Sequence, residues 1–432
     1  MSLEWESCKI GELGKIFSGG TPSTKIKEYW DGDLNWLSSG ETRNTYIYTT
    51  DKFITEKGAN NSSTKLANKG DIVIASAGQG FTRGQSSMVM IDTYVNQSVI
   101  VISPNDKVNN HYLLYNLKFR YPELRQLSDH ASTRGSLTTK IIKDLDIILP
   151  DLNTQNKIAT IIQYFDKKIE TNKKINKNLT KLIDTNFKNY LLNFENYSED
   201  DLVSSEFGPI PKEWEVNNLT GIANYQNGLA MQKFPPETPE DSFKVLKIKE
   251  LRQGFFDESS DLCSKNIKEE CIVYDGDVIF SWSGSLLVDI WTGGTCGLNQ
   301  HLFKVTSSNF DKWFYYCWTK FYLDQFILIA KDKATTMGHI KRQHLEESLV
   351  LIPDEETYNN LTNLFKPLFE YLTKNKIEIK KLQSLRDTLL PKLMSGEIDV
   401  SKINCDMAKI SRNNCNNMFT LTLKNNLIEV IS

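Results

Sequence analysis

The sequence lacks several features that define membrane, secreted or metal-dependent proteins. No apolar run approaches the about 20 residues that a transmembrane helix needs. The first ten residues, MSLEWESCKI, carry acids where a signal peptide has basic residues and an apolar core. The seven cysteines form no C-x-x-C pair, and the five histidines show no metal-ligand spacing. We therefore expect reduced thiols in a cytoplasmic protein, with no metal and no cofactor.

Catalytic motifs are missing as well. The chain has no N/D-P-P-Y/F loop of an adenine methyltransferase and no G-x-x-x-x-G-K-S/T phosphate loop of a motor protein. Glu378-Ile379-Lys380 matches half of a nuclease pattern, but it lies in a predicted helix and has no credible partner Asp. The net charge of −3 gives no global basic field for a nucleic acid. We expect no catalytic residues, and any anionic partner must be held by local patches.

What the sequence does contain is a long internal repeat. Residues 135–150 read GSLTTKIIKDLDIILP and residues 338–353 read GHIKRQHLEESLVLIP, so each phrase opens on Gly and closes an apolar run with Pro. Three further pairs keep the same order, namely KGDIVI with DGDVIF, VNQS with LNQH, and EWE with EWE. A globular module followed by a helix is therefore present twice.

Short apolar runs separated by Gly, Asn and Ser predict strands within each module, and interspersed helical pieces make each module α+β. After each closing Pro, a Lys-rich segment has the apolar spacing of an amphipathic helix with a coiled-coil seam. Each helix of roughly 40 residues would be about 60 Å long. We expect the pair of long helices to act as a spacer between two β-rich modules that are related by a pseudo-two-fold axis.

Aligning the two helices pairs Phe165 with Leu368, Leu182 with Leu385, and Asn172 with Asn375. A polar residue on a coiled-coil seam selects register, so Asn172 and Asn375 are predicted register residues, the alternative being that they face water. Pro367 predicts a kink or a restart in the second helix.

The predicted boundaries follow the repeat. They are the first module at 1–150, the first helix at 151–195, an acidic linker ending in Pro-Ile-Pro at 196–212, the second module at 213–353, the second helix at 354–398, and an Asn-rich tail at 399–432. The tail has the composition of a disordered or poorly packed segment and has no counterpart after the first helix.

This combination resembles the specificity subunit of a type I restriction-modification system. The resemblance rests on a Trp near each module start, a Gly-Asp strand, an Asn-Gln pair and a closing phrase that leads into a helix, all present twice, and on LRDTLLPKLMSGEI at 385–398. The stretch IFSGGTPSTKIKEYWDGDLNWLSSGE at 16–41 is similar to the start of many target recognition domains in that family. The resemblance covers about residues 5–400.

The resemblance implies a non-catalytic subunit that binds double-stranded DNA. Each target recognition domain would read one half of a bipartite, asymmetric site, and the two long helices would pack antiparallel to set the spacing between the halves. The helices and neighbouring surfaces would dock two methyltransferase subunits, and motor-nuclease subunits would complete the restriction enzyme. One alternative is a coiled-coil scaffold with two β-rich ligand-binding modules, in which aromatic and carboxylate clusters replace basic loops. A second alternative is a self-contained restriction enzyme, but the chain lacks the methyltransferase loop that such an enzyme needs.

DNA reading requires Arg, Lys, Asn or Gln at base edges and cations or amides at phosphates. Candidates in the first module are Lys25, Lys27, Arg43, Lys65, Gln79, Arg83 and Arg134. Candidates in the second module are Gln232, Lys233, Lys247, Lys249, Arg252, Trp282, Ser283, His339, Lys341 and Arg342. For each exposed cation, ordinary solubility is the alternative. The loops after the Gly-Asp strands are favoured because the modules differ most in side chain where their framework repeats.

Overall fold

The computed structural model describes residues 5–78, 82–130, 135–332, 338–401 and 403. The chain divides into two compact units. Unit 1 lies within residues 1–167 and 384–432, and unit 2 within residues 168–383. Each unit therefore combines one module with the start of one long helix and the end of the other.

Unit 1 is built from short strands and helices around apolar runs. Its strands are β1 (Glu6–Lys9), β2 (Gly14–Ser18), β3 (Trp30–Leu37), β4 (Tyr46–Ile47), β5 (Lys52–Ile54), β6 (Lys65–Ala67), β7 (Ile72–Ala75), β8 (Ser86–Val89), β9 (Thr93–Val95), β10 (Val99–Pro104) and β11 (Asp146–Leu149). Its helices are α1 (Glu56–Asn60), α2 (Asn110–Phe119), α3 (Tyr121–His130), α4 (Thr139–Asp144) and the first part of α5 (Leu152–Leu191). The strands pair in the orders β1-β11, β2-β10-β7-β8-β4 and β5-β3-β9-β6.

Unit 2 has the same construction. Its strands are β12 (Leu202–Ser205), β13 (Gly208–Pro211), β14 (Glu215–Asn218), β15 (Asn224–Asn227), β16 (Ser242–Leu246), β17 (Leu262–Ser264), β18 (Ile272–Val273), β19 (Val278–Ser281), β20 (Leu287–Ile290), β21 (Cys296–Leu298), β22 (Leu302–Thr306) and β23 (Leu349–Ile352). Its helices are α6 (Leu219–Ile222), α7 (Ile248–Gln253), α8 (Lys312–Phe321), α9 (Leu323–Asp332), α10 (Arg342–Glu346) and most of α11 (Glu355–Met394). The strand orders are β12-β13, β14-β23, β15-β22-β19-β20 and β17-β16-β21-β18.

The strand orders confirm the α+β class and the internal repeat. The order β2-β10-β7-β8 corresponds to β15-β22-β19-β20, and β5-β3-β9-β6 corresponds to β17-β16-β21-β18. Both units even share a parallel pair, β3 with β9 and β16 with β21, among otherwise mainly antiparallel ladders. The closing phrase recurs because its strand pairs with the strand that opens the module, β11 with β1 and β23 with β14.

Two details differ from the sequence-based expectations. Within the predicted linker, β12 and β13 form an antiparallel hairpin, and Ile210 is buried in the core of unit 2. Prolines are tolerated in such a two-stranded edge, which is why Pro-Ile-Pro resembled a linker. In addition, α11 continues through Pro367 without a restart, while a kink there stays a prediction. Phe365 and Phe369 on either side are buried, so packing holds this turn in place of the lost hydrogen bond.

In unit 1, α5 and α11 pack side by side and run antiparallel. The Lys157 ammonium donates to the carbonyl of Ser401 at 2.6 Å, while Asp166 further along α5 accepts from Arg386 at 2.7 Å. Asp166 is buried, and the Tyr115 hydroxyl donates to its second oxygen at 2.9 Å. Beyond α11, Val400 is buried, so the beginning of the predicted tail is packed. Residues 404–432 of that tail lie outside the described residues.

In unit 2, both predicted register residues are buried, but they do not pair with each other. The Asn172 amide donates to Glu378 on α11 at 2.8 Å. The Asn375 amide nitrogen has no hydrogen-bond partner among the described residues. The repeat explains the difference, because the helix alignment places Ile175 where a second carboxylate would be needed. The proposed register role therefore rests on Asn172 and Glu378 rather than on a symmetric pair.

We predict that Arg386→Ala destabilises unit 1 by about 3 kcal/mol, because it leaves the Asp166 carboxylate buried without its cation. Adding Asp166→Asn removes that charge, so the double variant should regain part of the loss in urea unfolding. Lys374→Ala, at an exposed pair with Glu370 on the same helix, is the control and should change stability by less than about 0.5 kcal/mol. A double variant less stable than Arg386→Ala alone would contradict this account.

Candidate nucleic-acid interface

In unit 1, four separate segments are joined by backbone hydrogen bonds at the ends of the strands. The Gly20 N–H donates to the Val95 carbonyl at 3.1 Å, after β2. The Ser76 N–H, after β7, donates to the Ser98 carbonyl at 2.9 Å. The Leu137 N–H in the closing phrase donates to the Ser76 carbonyl at 2.8 Å. We call the segments at 18–21, 76–78, 96–98 and 135–137 the first loop cluster.

The same bonds recur in unit 2. The Leu229 N–H donates to the Leu298 carbonyl at 2.9 Å. The Trp282 N–H donates to the His301 carbonyl at 3.4 Å, and the Ile340 N–H donates to the Trp282 carbonyl at 3.1 Å. The segments at 227–229, 282–285, 299–301 and 338–340 form the second loop cluster. Because these bonds join main-chain groups, they constrain the side chains at the same positions very little.

Particular repeated residues make this arrangement possible. A Cβ at Gly19 would lie 1.9 Å from the Val95 carbonyl oxygen, and one at Gly228 would lie 2.3 Å from that of Leu298. Only glycine permits so close an approach of two backbones. The repeated Asn closes the neighbouring turn, since the Asn96 side chain accepts the Ser98 N–H at 3.0 Å and Asn299 does the same for its own turn.

The second loop cluster carries a group of rings. The half-buried Trp282 stacks on Phe303 with centroids 5.7 Å apart. The rings of His301 and His339 lie 5.9 and 6.3 Å from the Trp282 ring. Ser283, only 4% exposed, holds His301 through a hydrogen bond of 3.1 Å between Oγ and Nδ1. The predicted candidates Trp282, Ser283 and His339 are thus brought together.

The predicted residues of the first module are more scattered. Lys25, Lys27 and Arg43 are exposed on segments outside the first loop cluster. Lys65 lies on β6 opposite Val95, beside the cluster, and its ammonium is 5.7 Å from the Phe17 ring. Gln79 and Arg134 lie outside the described residues.

Arg83 differs from the exposed candidates because it is only 8% exposed. Its guanidinium donates to the Gly135 carbonyl at 3.1 Å and forms an ion pair with Asp129. Gly135 has a φ of 60°, and a Cβ there would collide with the guanidinium. Arg83 therefore ties the loop after β7 to the closing phrase, a position that favours a structural role over the base contact predicted from sequence.

In the second module, Gln232, Lys233, Arg252, Lys341 and Arg342 are exposed. Lys247 and Lys249 instead form ion pairs with Asp261 and Asp257. Hydrogen bonds from Lys249 and Ser259 hold the pKa of Asp257 well below its ordinary value, so that carboxylate stays charged.

Sequence analysis did not propose Asn227, Gln300 or His301, which all belong to the second loop cluster. Most candidates predicted from the sequence are Lys or Arg, whereas these side chains are amides and an imidazole. The repeated Asn-Gln pair at 96–97 and 299–300 was the available signal, because it marks a turn that both modules preserve.

Across the described ranges, no group of three or more His, Cys, Asp or Glu is placed to hold a metal ion. The five cysteines within those ranges are free, and burial raises the pKa of Cys263 to about 11. In the same ranges, no helix is long and apolar enough to cross a membrane.

We predict that Arg83→Ala lowers the free energy of unfolding by about 1–3 kcal/mol, because the Gly135 carbonyl and Asp129 lose their shared partner. The DNA motif that the resemblance implies should stay the same. Thermal unfolding with Arg43→Ala as an exposed control measures the first effect, and methylation sequencing measures the second. Unchanged stability with an altered DNA motif would return Arg83 to the base-reading residues.

Comparison with known proteins adds three findings. Residues 2–181 match a family model described as the type I restriction modification DNA specificity domain. The MjaIX specificity subunit of Methanocaldococcus jannaschii is 32% identical over 417 residues, covering 93% of this chain and 95% of that protein. The crystal structure of a type I restriction-modification S subunit from M. genitalium has a TM-score of 0.56 at 15% identity, covering 91% of this chain and 96% of that one.

Proposed function

The chain belongs to the family of type I restriction enzyme specificity subunits, and from this we propose that each of its two modules reads one half of a bipartite DNA site. The observation that carries the proposal is the duplicated loop cluster. Both clusters share the same backbone hydrogen bonds but present different side chains. Two readers that present different side chains would recognise an asymmetric, split sequence, because base edges are distinguished by side-chain chemistry.

We propose that α5 and α11 set the distance between the half-sites. Each is an unbroken helix of 40 residues, which corresponds to about 60 Å. Half-site separation follows protein geometry whenever two readers are joined by a rigid connection. The family assignment favours this DNA-reading arrangement over a ligand-binding scaffold.

We propose that two methyltransferase subunits dock on equivalent surfaces of the long helices. The tetrads at 182–185 and 385–388 read LIDT and LRDT. Sequence placed Leu182 and Leu385 on the seam, but they are 45% and 46% exposed. A half-exposed Leu at the same position of both helices leaves part of its apolar surface exposed, and its repetition suits two copies of one partner. Motor-nuclease subunits would join this cytoplasmic complex to complete restriction.

The net charge of −3 supports the need for partners. Phosphate contacts supply much of the affinity of a DNA-binding protein, and a near-neutral chain has no overall positive field to attract phosphates. We propose that the methyltransferase subunits supply additional cations, while this chain supplies sequence recognition. The complex, rather than the isolated chain, is therefore the appropriate sample for binding experiments.

Methylation sequencing of a host that carries this chain and its methyltransferase should show a bipartite, asymmetric motif. Inserting four residues within 173–180 adds about 6 Å of helix, or roughly two base pairs of gap at 3.4 Å each. The bases of both halves should be unchanged, and some stability should be lost as the Asn172 contact shifts. The same insertion in the exposed loop at 235–240 is the control and should leave the gap unchanged. An active helix variant with its old gap would contradict the spacing role.

Docking is tested by charge substitution at the paired leucines. Leu182→Lys and Leu385→Lys should each reduce the complex from two methyltransferase copies to one, and the double variant should bind none, as measured by native mass spectrometry. Leu328→Lys is the control, because Leu328 is 61% exposed on α9 but has no leucine counterpart in the first module. Two copies retained by the double variant would rule out these surfaces.

A further inference from the structure

The two loop clusters differ in a regular way. The shared backbone bonds identify Ser76 with Trp282 and Ser98 with His301. Ser136 and His339 directly precede Leu137 and Ile340, whose N–H groups donate to the carbonyls of Ser76 and Trp282. Ser18 and Asn227 directly precede the equivalent glycines at 19 and 228. The first module therefore has serine at all four positions. The second module has Asn, Trp, His and His.

We propose that these four equivalent positions determine which bases each module reads, an inference that rests on the proposed function. In the second module, Asn227, Trp282, His301 and His339 would contact base edges. In the first module, the four serine hydroxyls would occupy the same places. Neither set contains Arg or Lys, so hydroxyl, amide, indole and imidazole groups would distinguish the bases.

The Trp282 indole is fixed from several sides. Its Nε1–H donates to the Asn227 side chain at 3.2 Å, and its ring stacks on Phe303 at an interplanar angle of 30°. Its backbone N–H and carbonyl are both engaged in the cluster. A half-exposed aromatic ring held in this way loses little conformational freedom on binding. Its apolar edge suits a thymine methyl group or the face of a base.

The two histidines add hydrogen-bonding groups beside that ring. The buried Ser283 holds one nitrogen of His301, and the Gln300 amide lies 3.4 Å from the other. His339 belongs to the closing phrase. It forms an isolated antiparallel β-bridge with Ser283. An imidazole nitrogen can donate to N7 or O6 of a purine, or accept from an exocyclic amine such as adenine N6, in the major groove. Ser283 is then a positioning residue, since it orients His301 without contacting DNA.

Cations lie next to this cluster rather than within it. An open pocket beside the loops is lined by Arg252, Lys331 and the backbone at Gly284 and Gly338. Gly284 has a φ of 64°, and a Cβ at Gly338 would collide with the Ala330 carbonyl, so the pocket floor requires glycine. Ser285, Leu286, Ile327 and Ala330 complete the lining, and the two exposed cations suit a DNA phosphate. Because the cations lie apart from the four equivalent positions, phosphate contacts and base contacts can be tested with different variants.

The experiment uses the full chain in complex with its methyltransferase, with the methylated motif in genomic DNA as the readout. The variants are Asn227→Ser, Trp282→Phe, His301→Ser and His339→Ser, each checked by thermal unfolding. His301→Ser and His339→Ser should each relax or change the second half of the motif. Discrimination between the correct and an incorrect base should fall about tenfold or more at one position. The first half should be unaffected. The reciprocal Ser98→His should alter the first half alone.

Arg252→Ala is the matched control for a phosphate contact. It should weaken binding to all sequences alike and lower the salt dependence by about one counterion, with the motif intact. A folded His301→Ser, His339→Ser double variant with an unchanged second half-motif would overturn the inference. So would a change in both halves, or an Arg252→Ala variant that changes the bases. A wild-type complex without any bipartite motif would instead refute the proposed function itself.

Discussion

The hydrogen bonds between the backbones of separate loops constrain both modules more than any other interaction. They require two chain segments to approach within a distance that only glycine allows, which fixes Gly19 and Gly228. They also require a tight turn after the neighbouring strand, which the side chains of Asn96 and Asn299 close. The strand orders of the sheets follow, because the strands must deliver four loops to one place. The side chains on these loops are the part that the framework leaves undetermined.

Equivalent positions of the long helices are packed differently in the two units. In unit 1, the buried Asp166 is neutralised by Arg386 and bonded by Tyr115. The aligned positions in unit 2 are Phe369 and Ile183, which belong to an apolar core. Loss of one partner leaves an uncompensated buried charge in the first case and a cavity in the second. The duplicated helix positions therefore respond to substitution through different physical costs.

The sequence predicted the features that repeat, because repetition marks what the framework requires. The closing phrases, the Gly-Asp strands and the two helices all appear in the structure near their expected places. It did not predict the hairpin of β12 and β13, because a segment with two prolines is compatible with an edge strand as well as with a linker. Nor could it separate Arg83 from the exposed cations, because burial depends on the distant partner Gly135. The four serine positions were also hidden, since their equivalence is defined by hydrogen bonds between segments far apart in the chain.

The main-chain nature of the loop bonds has an evolutionary consequence. A substitution on these loops alters the surface offered to a partner while the bonds that hold the loop remain, so most such changes should be neutral for folding. Selection can then act on recognition without first repairing stability. Because the two modules carry independent copies of the cluster, variation in one need not wait for variation in the other. A lineage with a few variants of each module would gain specificities as the product of the two numbers rather than as their sum.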